Sequence, residues 1–386
     1  MKVSVVIPSY NAGPQLRACL ATLTRQELGS GHALEVVVVD DGSDDGTADV
    51  VQDVASRQGP TFDLRYQFLP RTAASGRSAA RNHGIRQTSG EVVVLVDADV
   101  LLPPGALAAH LDYHRRRSDL VVTGPRGWFS GVDIGPDGPD SAEAWAKLVP
   151  LAGADLRDHV FAALSDNLNN LATAWHFMFS CNVSVRREHL LASGGFDESF
   201  TGWGLEDSEL GYRLHRLGLS FAYSRDTIVF HQHPQIMNDD MYRDWRANLV
   251  RFTGKHSNDP AVVAQWVMDR VFDPVNGDLT WLECCRRFEA AVRALDGRLP
   301  ERANYELIEV NTGNLAEVLS GLPERAKNAD LLVLDHTGDS ELAVTVQCLD
   351  SPRELSYFNR PADEERAAIL AAHRITAPSG DTACHQ

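Results

Sequence analysis

Apolar runs alternate with amphipathic stretches along the amino-terminal quarter of the chain. Val3 to Ile7 (VSVVI) ends at Pro8, and Leu34 to Val39 ends in Asp40-Asp41-Gly42-Ser43-Asp44-Asp45-Gly46-Thr47. Val92 to Val96 is a third run, and Leu64 to Leu69 between them also reads as a strand. Short, β-branched, continuously apolar runs bounded by turn residues predict strands buried on both faces. Between them, Pro14 to Thr24 sets Leu16, Leu20 and Leu23 at helical spacing, and Asp49 to Arg57 and Gly76 to Gln87 also read as helices. This β-α alternation predicts a doubly wound, mostly parallel sheet.

The pattern continues with a helix over Gly105 to Arg117, its Leu107 and Leu111 facing inward. Gly124 to Asp140, rich in Gly, Pro and Asp, reads as a loop, and Ser141 to Asn170 as weakly patterned helix. Phe179 to Val185 predicts a strand, and the glycine-rich turn Gly194 to Phe200 follows it. A helix from the Glu206 region to Leu217 comes next, then a strand over Tyr223 to Phe230. Residues 260–300 look helical, with Trp266 and Trp281 as core. Leu307 to Val310, Asn314 to Arg325, Leu331 to Asp335 and Leu342 to Leu349 read as β-α-β-β, and Ala377 to Gln386 as a frayed end. No internal repeat or low-complexity run stands out. The predicted division is a catalytic unit over 1–258, in halves 1–104 and 105–258, with an accessory helical or α+β region over 259–386.

Composition narrows the classes. The chain has 386 residues, is 44% hydrophobic and 23% charged, and carries a net charge of −17. Such a composition belongs to an ordinary soluble globular protein with a sizeable core. The negative charge argues against nucleic acid or an anionic membrane as main partner, since both call for a basic footprint. Six scattered cysteines form no CxxC or zinc spacing, so reduced thiols are expected. Met1 leads directly into a strand, and no apolar run approaches the ~20 residues that span a bilayer. A cytoplasmic protein without a transmembrane segment is the expectation.

Candidate chemistry collects at strand ends. Asp97-Ala98-Asp99 puts two carboxylates at the carboxyl end of a buried strand, where open α/β sheets bind ligands. Paired acidic oxygens suit a hard divalent cation, although Asp after a strand also suits a solvated turn. At the second strand end, helix capping explains Ser43 to Thr47 but not the Asp40-Asp41 pair. Arg77 and Arg81, four apart, share one helix face, with guanidinium geometry suited to a diphosphate. Farther on, Gly202-Trp203-Gly204-Leu205-Glu206-Asp207 opens a helix. The helix dipole favours acids there, but it does not account for the Gly-Trp-Gly before them. His231-Gln232-His233 closes an apolar strand, with His231 the first candidate ligand and His233 the second.

Four linked segments carry a resemblance: VSVVIPSYNAG, VVVVDDGSDDGT, GRSAARNHGI and VDADVLLPPG. In order and spacing they resemble the family 2 glycosyltransferases. GGFDESFTGWGLEDSELGYRLHRLG is similar to the acceptor-side motif of β-1,4-galactosyltransferases and polypeptide GalNAc transferases. The resemblance implies a GT-A fold, a nucleotide-diphosphate sugar donor (a UDP-sugar by first choice), a hydroxyl-bearing acceptor, and Mn²⁺ or Mg²⁺. It also implies roles. Pro8 and Tyr10 border the nucleotide, Asp40 and Asp41 hold base and ribose, and Arg77, Arg81 and Asn82 lie on the donor side. Asp97 with Ala98 touches ribose or metal, and Asp99 ligates the metal with His231 or His233. Trp203, Gly204 and Glu206 face the acceptor, and Asp207 takes the acceptor proton in an inverting transfer. A retaining transferase on the same fold and a catalytically silent sugar-nucleotide or glycan-binding protein are the alternatives.

Overall fold

The apolar runs become the buried strands of a seven-stranded sheet. The structure, a computed structural model, describes residues 1–58, 62–73, 75–155, 157–163, 166–168, 171–234, 236–274, 277–295, 305–350 and 355–372. The chain opens with β1 (Lys2–Ser9), α1 (Gly13–Leu23), β2 (Ala33–Asp40), α2 (Thr47–Gln58), β3 (Asp63–Phe68), α3 (Arg77–Gln87), β4 (Val92–Val96) and β5 (Val100–Leu101). It continues through α4 (Ala106–Arg116), β6 (Leu120–Thr123), β7 (Arg126–Trp128), α5 (Ala142–Leu148), α6 (Asp158–Ala163), β8 (Asn182–Arg186), α7 (Arg187–Ala192) and α8 (Glu206–Arg216). Then come β9 (Ser220–Tyr223), β10 (Val229–His231), α9 (Asp239–Lys255), α10 (Pro260–Ala264), α11 (Asp269–Phe272) and α12 (Trp281–Leu295). The last elements are β11 (Tyr305–Val310), α13 (Leu315–Asn328), β12 (Asp330–Asp335), α14 (Ser340–Cys348), β13 (Leu355–Asn359) and α15 (Asp363–Ala372).

The main sheet runs β3-β2-β1-β4-β8-β6-β9. Only β8 runs against its neighbours, pairing antiparallel with both β4 and β6. The central strand β4 is buried from end to end and β1 and β2 nearly so, because helices cover both faces, whereas the edge strand β3 is only partly buried. A second, small sheet, β5-β10-β7, crosses beyond the carboxyl end of β4. There His231 sits opposite Val100. A third sheet, β11-β12-β13, is all parallel and has its own core around Val310, Leu322, Val333 and Val346. Helix α12 buries Cys284, Phe288 and Val292 in the core that also holds Trp175 and Phe252.

Several sequence-based expectations are corrected. The strand expected over Tyr223 to Phe230 is two strands in different sheets, split by a 3-10 turn at Arg225–Thr227. The expected loop over Gly124 to Asp140 contains β7. Leu342 to Leu349, β-branched and strand-like in sequence, lies largely in helix α14. Asp339 caps that helix by accepting from Leu342 N at 3.1 Å, and Leu342 and Val346 fall on one buried face. The lobe is therefore β-α-β-α-β-α. Ala377 to Gln386 lies outside the described residues.

Helix α4 rests on β8 through buried imidazoles. His110 bonds Ser184 Oγ at 2.9 Å and Asn182 Oδ1 at 3.0 Å, and His114 bonds the same hydroxyl at 2.8 Å. Burial pushes the pKa values of His110 and His114 down to about 4 and about 3. Below pH ~6.5 the unfolded chain binds protons that these native imidazoles refuse. Their contribution is therefore complete above pH ~6.5 and declines as pH falls toward 4. The urea midpoint should drop between pH 7 and pH 5, and a His110→Gln/His114→Gln variant should show a flatter dependence. Identical slopes for the two proteins would contradict this.

Candidate active site

The carboxyl ends of β1, β2 and β4 form one edge, and the first cluster lies there. Asp40 is buried, accepting from Ser43 N at 2.8 Å and from the Tyr66 hydroxyl at 2.6 Å. Asp41 is buried too, and its Oδ2 takes Arg71 Nη1 at 2.8 Å. The same guanidinium lies 3.9 Å from the centre of the exposed Tyr10 ring. Pro8 is in register with Val39 near the end of β1. This edge thus presents an aromatic face, a guanidinium and a carboxylate side by side.

At the end of β4, Asp97, Cys181 and His231 each offer a ligand atom, all within 4.8 Å of one another. His231 Nδ1 hydrogen-bonds Asp99 Oδ1 at 3.2 Å, while its buried Nε2 has no hydrogen-bond partner. Burial opposes charge on the imidazole, but Asp99 and Cys181 outweigh it and push the pKa up to about 10. An orphaned ring nitrogen beside a carboxylate and a thiol, with the other nitrogen held by a second carboxylate, fits a metal ion. Asp99 thus orients His231, while Asp97 belongs to the cluster itself. Ala98 is buried between them. His233 is exposed and outside the cluster.

The acceptor-side candidates sit on a strained loop before α8. Gly202, Gly204 and Leu205 all have positive φ, at 75°, 93° and 70°. A Cβ at Gly202 would lie 2.4 Å from Asp244 Cγ, and one at Gly204 2.9 Å from Trp245 Cδ1, so helix α9 closes on bare backbone. Asn248 of α9 donates to Thr201 O and Gly204 O at 3.1 and 2.8 Å, and Asp244 accepts from Trp203 N at 3.1 Å. The loop is thereby fixed, with Glu206 and Asp207 at the first turn of α8. Asp207 accepts from Ser208 N at 2.8 Å and Ser180 N at 3.3 Å. Burial, and then neighbouring Glu206, push its pKa up to about 7.

Arg81 joins the clusters. It is buried, with Nη2 2.7 Å from Asp97 Oδ1 and Nη1 3.4 Å from Glu206 Oε1. Burial opposes the charge of Asp97, yet Arg81 holds its carboxyl below the usual carboxylate range. Asn82 is differently engaged. Its amide donates to Phe196 O and Glu198 Oε1, both at 2.8 Å, and accepts from Phe196 N at 2.7 Å. It therefore positions the Gly194–Phe200 turn, with both ends of the amide occupied. Arg77 is exposed at the start of α3. Three participants escaped the sequence reading: Tyr66, Arg71 and Cys181. Cys181 reaches the site because Asn182 pairs with Val96, and only that antiparallel register brings the thiol beside Asp97.

A profile for glycosyl transferase family 2 matches residues 4–188. A second, described as the N-terminal domain of galactosyltransferase, matches residues 162–233. The uncharacterized glycosyltransferase YfnE of Bacillus subtilis is 30% identical over 291 residues, spanning 67% of this chain and 71% of YfnE. This chain belongs to the family 2 glycosyltransferases. Validoxylamine A glucosyltransferase of Streptomyces hygroscopicus subsp. limoneus is 32% identical over 265 residues, 66% of this transferase and 56% of that protein. Among solved structures, the mannosyltransferase PcManGT of Pyrobaculum calidifontis, in complex with GDP-Man and Mn²⁺, aligns with a TM-score of 0.51. Its identity is 20%, over 84% of this chain and 81% of that one. Residues 1–349 of S. aureus TarS align with a TM-score of 0.50 and 19% identity, over 77% and 83% of the two chains. The fold is GT-A, and the chain is a glycosyltransferase. No helix among the described residues is long and apolar enough to cross a membrane.

Arg81 yields a stability prediction. Arg81→Leu leaves Glu206 buried without its cation, and breaking a buried pair typically costs ~3–5 kcal/mol. Urea denaturation should show a loss of about that size, partly recovered by adding Glu206→Gln. An undiminished midpoint in Arg81→Leu would show that the pairing carries no weight.

Proposed function

We propose that this transferase is metal-dependent and inverting. It moves a sugar from a nucleoside-diphosphate donor, with UDP-sugar as first choice, to an acceptor hydroxyl, and Asp207 is the base. The observation that carries the reading is the placement of Asp207 in the first turn of α8, beside a glycine-framed loop that α9 holds fixed, with burial and Glu206 raising the pKa of its carboxyl. A general base works best when its pKa lies near the operating pH. Asp207 takes the proton from the acceptor hydroxyl as that oxygen attacks the anomeric carbon. The bond to the diphosphate oxygen breaks on the opposite face. Glu206, held by Arg81, orients the acceptor beside it, and Trp203 offers a flat apolar surface for a sugar ring.

On the donor side, Asp41 accepts from the base while Tyr10 and Arg71 flank it, and Pro8 and Asp40 shape the floor. Arg81 has its Nε without a partner, and Arg77 is exposed one turn earlier on the same helix. Both favour a diphosphate. Asp97, His231 and Cys181 are the residues that would hold the metal, with Asp99 fixing the imidazole. A bound divalent ion offsets the charge of the diphosphate leaving group. An imidazole and a thiol beside the carboxylate favour a transition-metal ion over Mg²⁺, which prefers oxygen ligands. The mannosyltransferase from Pyrobaculum calidifontis was solved with Mn²⁺.

Three outcomes test this reading. Asp207→Asn should cut transfer by ~10²–10⁴-fold while leaving UDP affinity nearly intact. Asp99→Asn should instead weaken metal-linked UDP binding, read as a smaller thermal shift with Mn²⁺ than the parent shows. Equal loss of UDP binding in both variants would remove Asp207 from the acceptor side, and an anomer-retaining product by NMR would exclude inversion.

The pH profile follows from the same group. In the parent, kcat/KM should climb as pH rises through about 7, because only the deprotonated Asp207 accepts a proton. The residual rate of Asp207→Asn should lack that limb. For the metal, titration with Co²⁺ should produce a near-ultraviolet sulfur-to-metal charge-transfer band that Cys181→Ser abolishes. A band that persists in Cys181→Ser would take the thiol out of the ligand set.

A further inference from the structure

The carboxyl-terminal lobe and the donor half of the transferase share a strand order. Strands β11, β12 and β13 pair in parallel and in that order, as β1, β2 and β3 do. A helix follows each strand in both sets. Parallel β-α units recur widely, so topology alone would mean little. The strand ends agree in detail, however. Ser9, Asp40 and Phe68 are in register in the donor half, and Val310, Asp335 and Asn359 in the lobe. Asp40 Oδ2 accepts from the Tyr66 hydroxyl at 2.6 Å, and Asp335 Oδ2 from the Tyr357 hydroxyl at 2.8 Å. Tyr66 pairs with Val38 and Tyr357 with Val333, each two residues before its aspartate.

The loops match as well. Asp41 N donates to Ser9 O at 2.8 Å, and His336 N to Val310 O at 2.9 Å. Leu69 N donates to Asp40 O at 2.8 Å, and Arg360 N to Asp335 O at 2.6 Å. Asp40 Oδ1 takes the amide three residues on, at Ser43, and Asp335 Oδ1 does so at Gly338. The sequences have diverged at the positions that face outward. His336, paired with Glu309, stands where Asp41 meets Arg71. Asn311, which bonds Gly313 N, stands where Tyr10 lies under a guanidinium.

The lobe makes one contact that has no counterpart in the donor half. Its helix α14, the counterpart of α2, lies against β9, the edge strand of the main sheet. Gln347 is buried there. Its Oε1 accepts from Tyr223 N at 2.7 Å, and its Nε2 donates to Tyr223 O at 2.9 Å. One side-chain amide thus supplies both hydrogen bonds that a residue of a further strand would give. Around it, Val344 and Cys348 pack on Tyr113, Leu120, Val122 and Ala222. Arg116 grips Glu341 with two bonds of 2.7 and 2.8 Å, and Arg117 donates to Leu349 O. An open strand edge carries unpaired amides and carbonyls that must be covered or solvated.

We infer that the lobe of residues 305–350 and 355–372 is a degenerate second copy of the donor half, which has given up nucleotide binding and covers the open edge of the catalytic sheet. The loss of binding rests on the donor reading above, whereas the cover does not. Gln347 points away from the lobe's own core, so Gln347→Ala spares the lobe. Hydrogen exchange on the intact chain should show the Tyr223 amide exchanging about tenfold faster in Gln347→Ala. Amides of β2 should be unaffected. Unchanged exchange at Tyr223 would overturn the cover. Calorimetry with UDP and Mn²⁺ should find one nucleotide per chain, lost in Asp41→Ala. A second nucleotide that survives Asp41→Ala and disappears in His336→Ala would overturn the loss of binding. If UDP does not bind at all, the donor reading fails, and exchange at Tyr223 alone decides the cover.

Discussion

The buried guanidinium of Arg81 is the constraint on which the site is arranged. It comes from α3, yet it touches Glu206, 125 residues farther along the chain. A cation sealed from water requires carboxylates around it. Asp97 from the end of β4 and Glu206 from the start of α8 answer that requirement together. The two halves are thereby held in register by a charge as well as by strand pairing. Arg81 is also shared, and this shapes Asp207. With Asp97 and Glu206 taking the close contacts, Asp207 receives only a weaker attraction while bearing burial and the repulsion of Glu206. Its proton affinity follows from being third in line for one cation.

The small sheet solves a second problem of placement. The cluster of Asp97 and Cys181 at the end of β4 gains its imidazole from beyond the main sheet. The split of Tyr223 to Phe230 into β9 and β10 provides it, because the turn at Arg225–Thr227 lets the chain leave one sheet and join another. Antiparallel pairing of β10 with β5 then delivers His231 to Asp99. In a chain of net charge −17, each cluster of acids has a specific cation beside it: Arg71 at Asp41, Arg81 at Asp97 and Glu206.

What could be read from the sequence was what local pattern encodes. Val92 to Val96 and the acids after it, the Gly-Trp-Gly loop and the first turn of α8 all declare themselves within a few residues. What could not be read depends on register between distant segments. Cys181 looked like a stray thiol until β8 paired with β4. Asn82 belonged to a donor-side motif, yet its amide is taken by a turn 114 residues away. Leu342 to Leu349 has strand-like composition, and only the cap at Asp339 and the burial of Leu342 with Val346 make it a helix. The lobe showed no repeat in its letters because the likeness resides in hydrogen bonds at strand ends, which different residues can make.

Leu205 joins the loop to the interior. It is not glycine, yet its φ is 70°, and its side chain is buried in the main core. A left-handed leucine is an unfavourable conformer that persists only where its surroundings hold it. Glycine there would relieve the backbone but empty a place in the core. Any other large residue would keep the core and the strain. The active-site loop and the hydrophobic interior are thus a single mechanical part. Opening the loop means withdrawing a core side chain, so this wall of the candidate site is tied to the interior and moves only if the core moves with it.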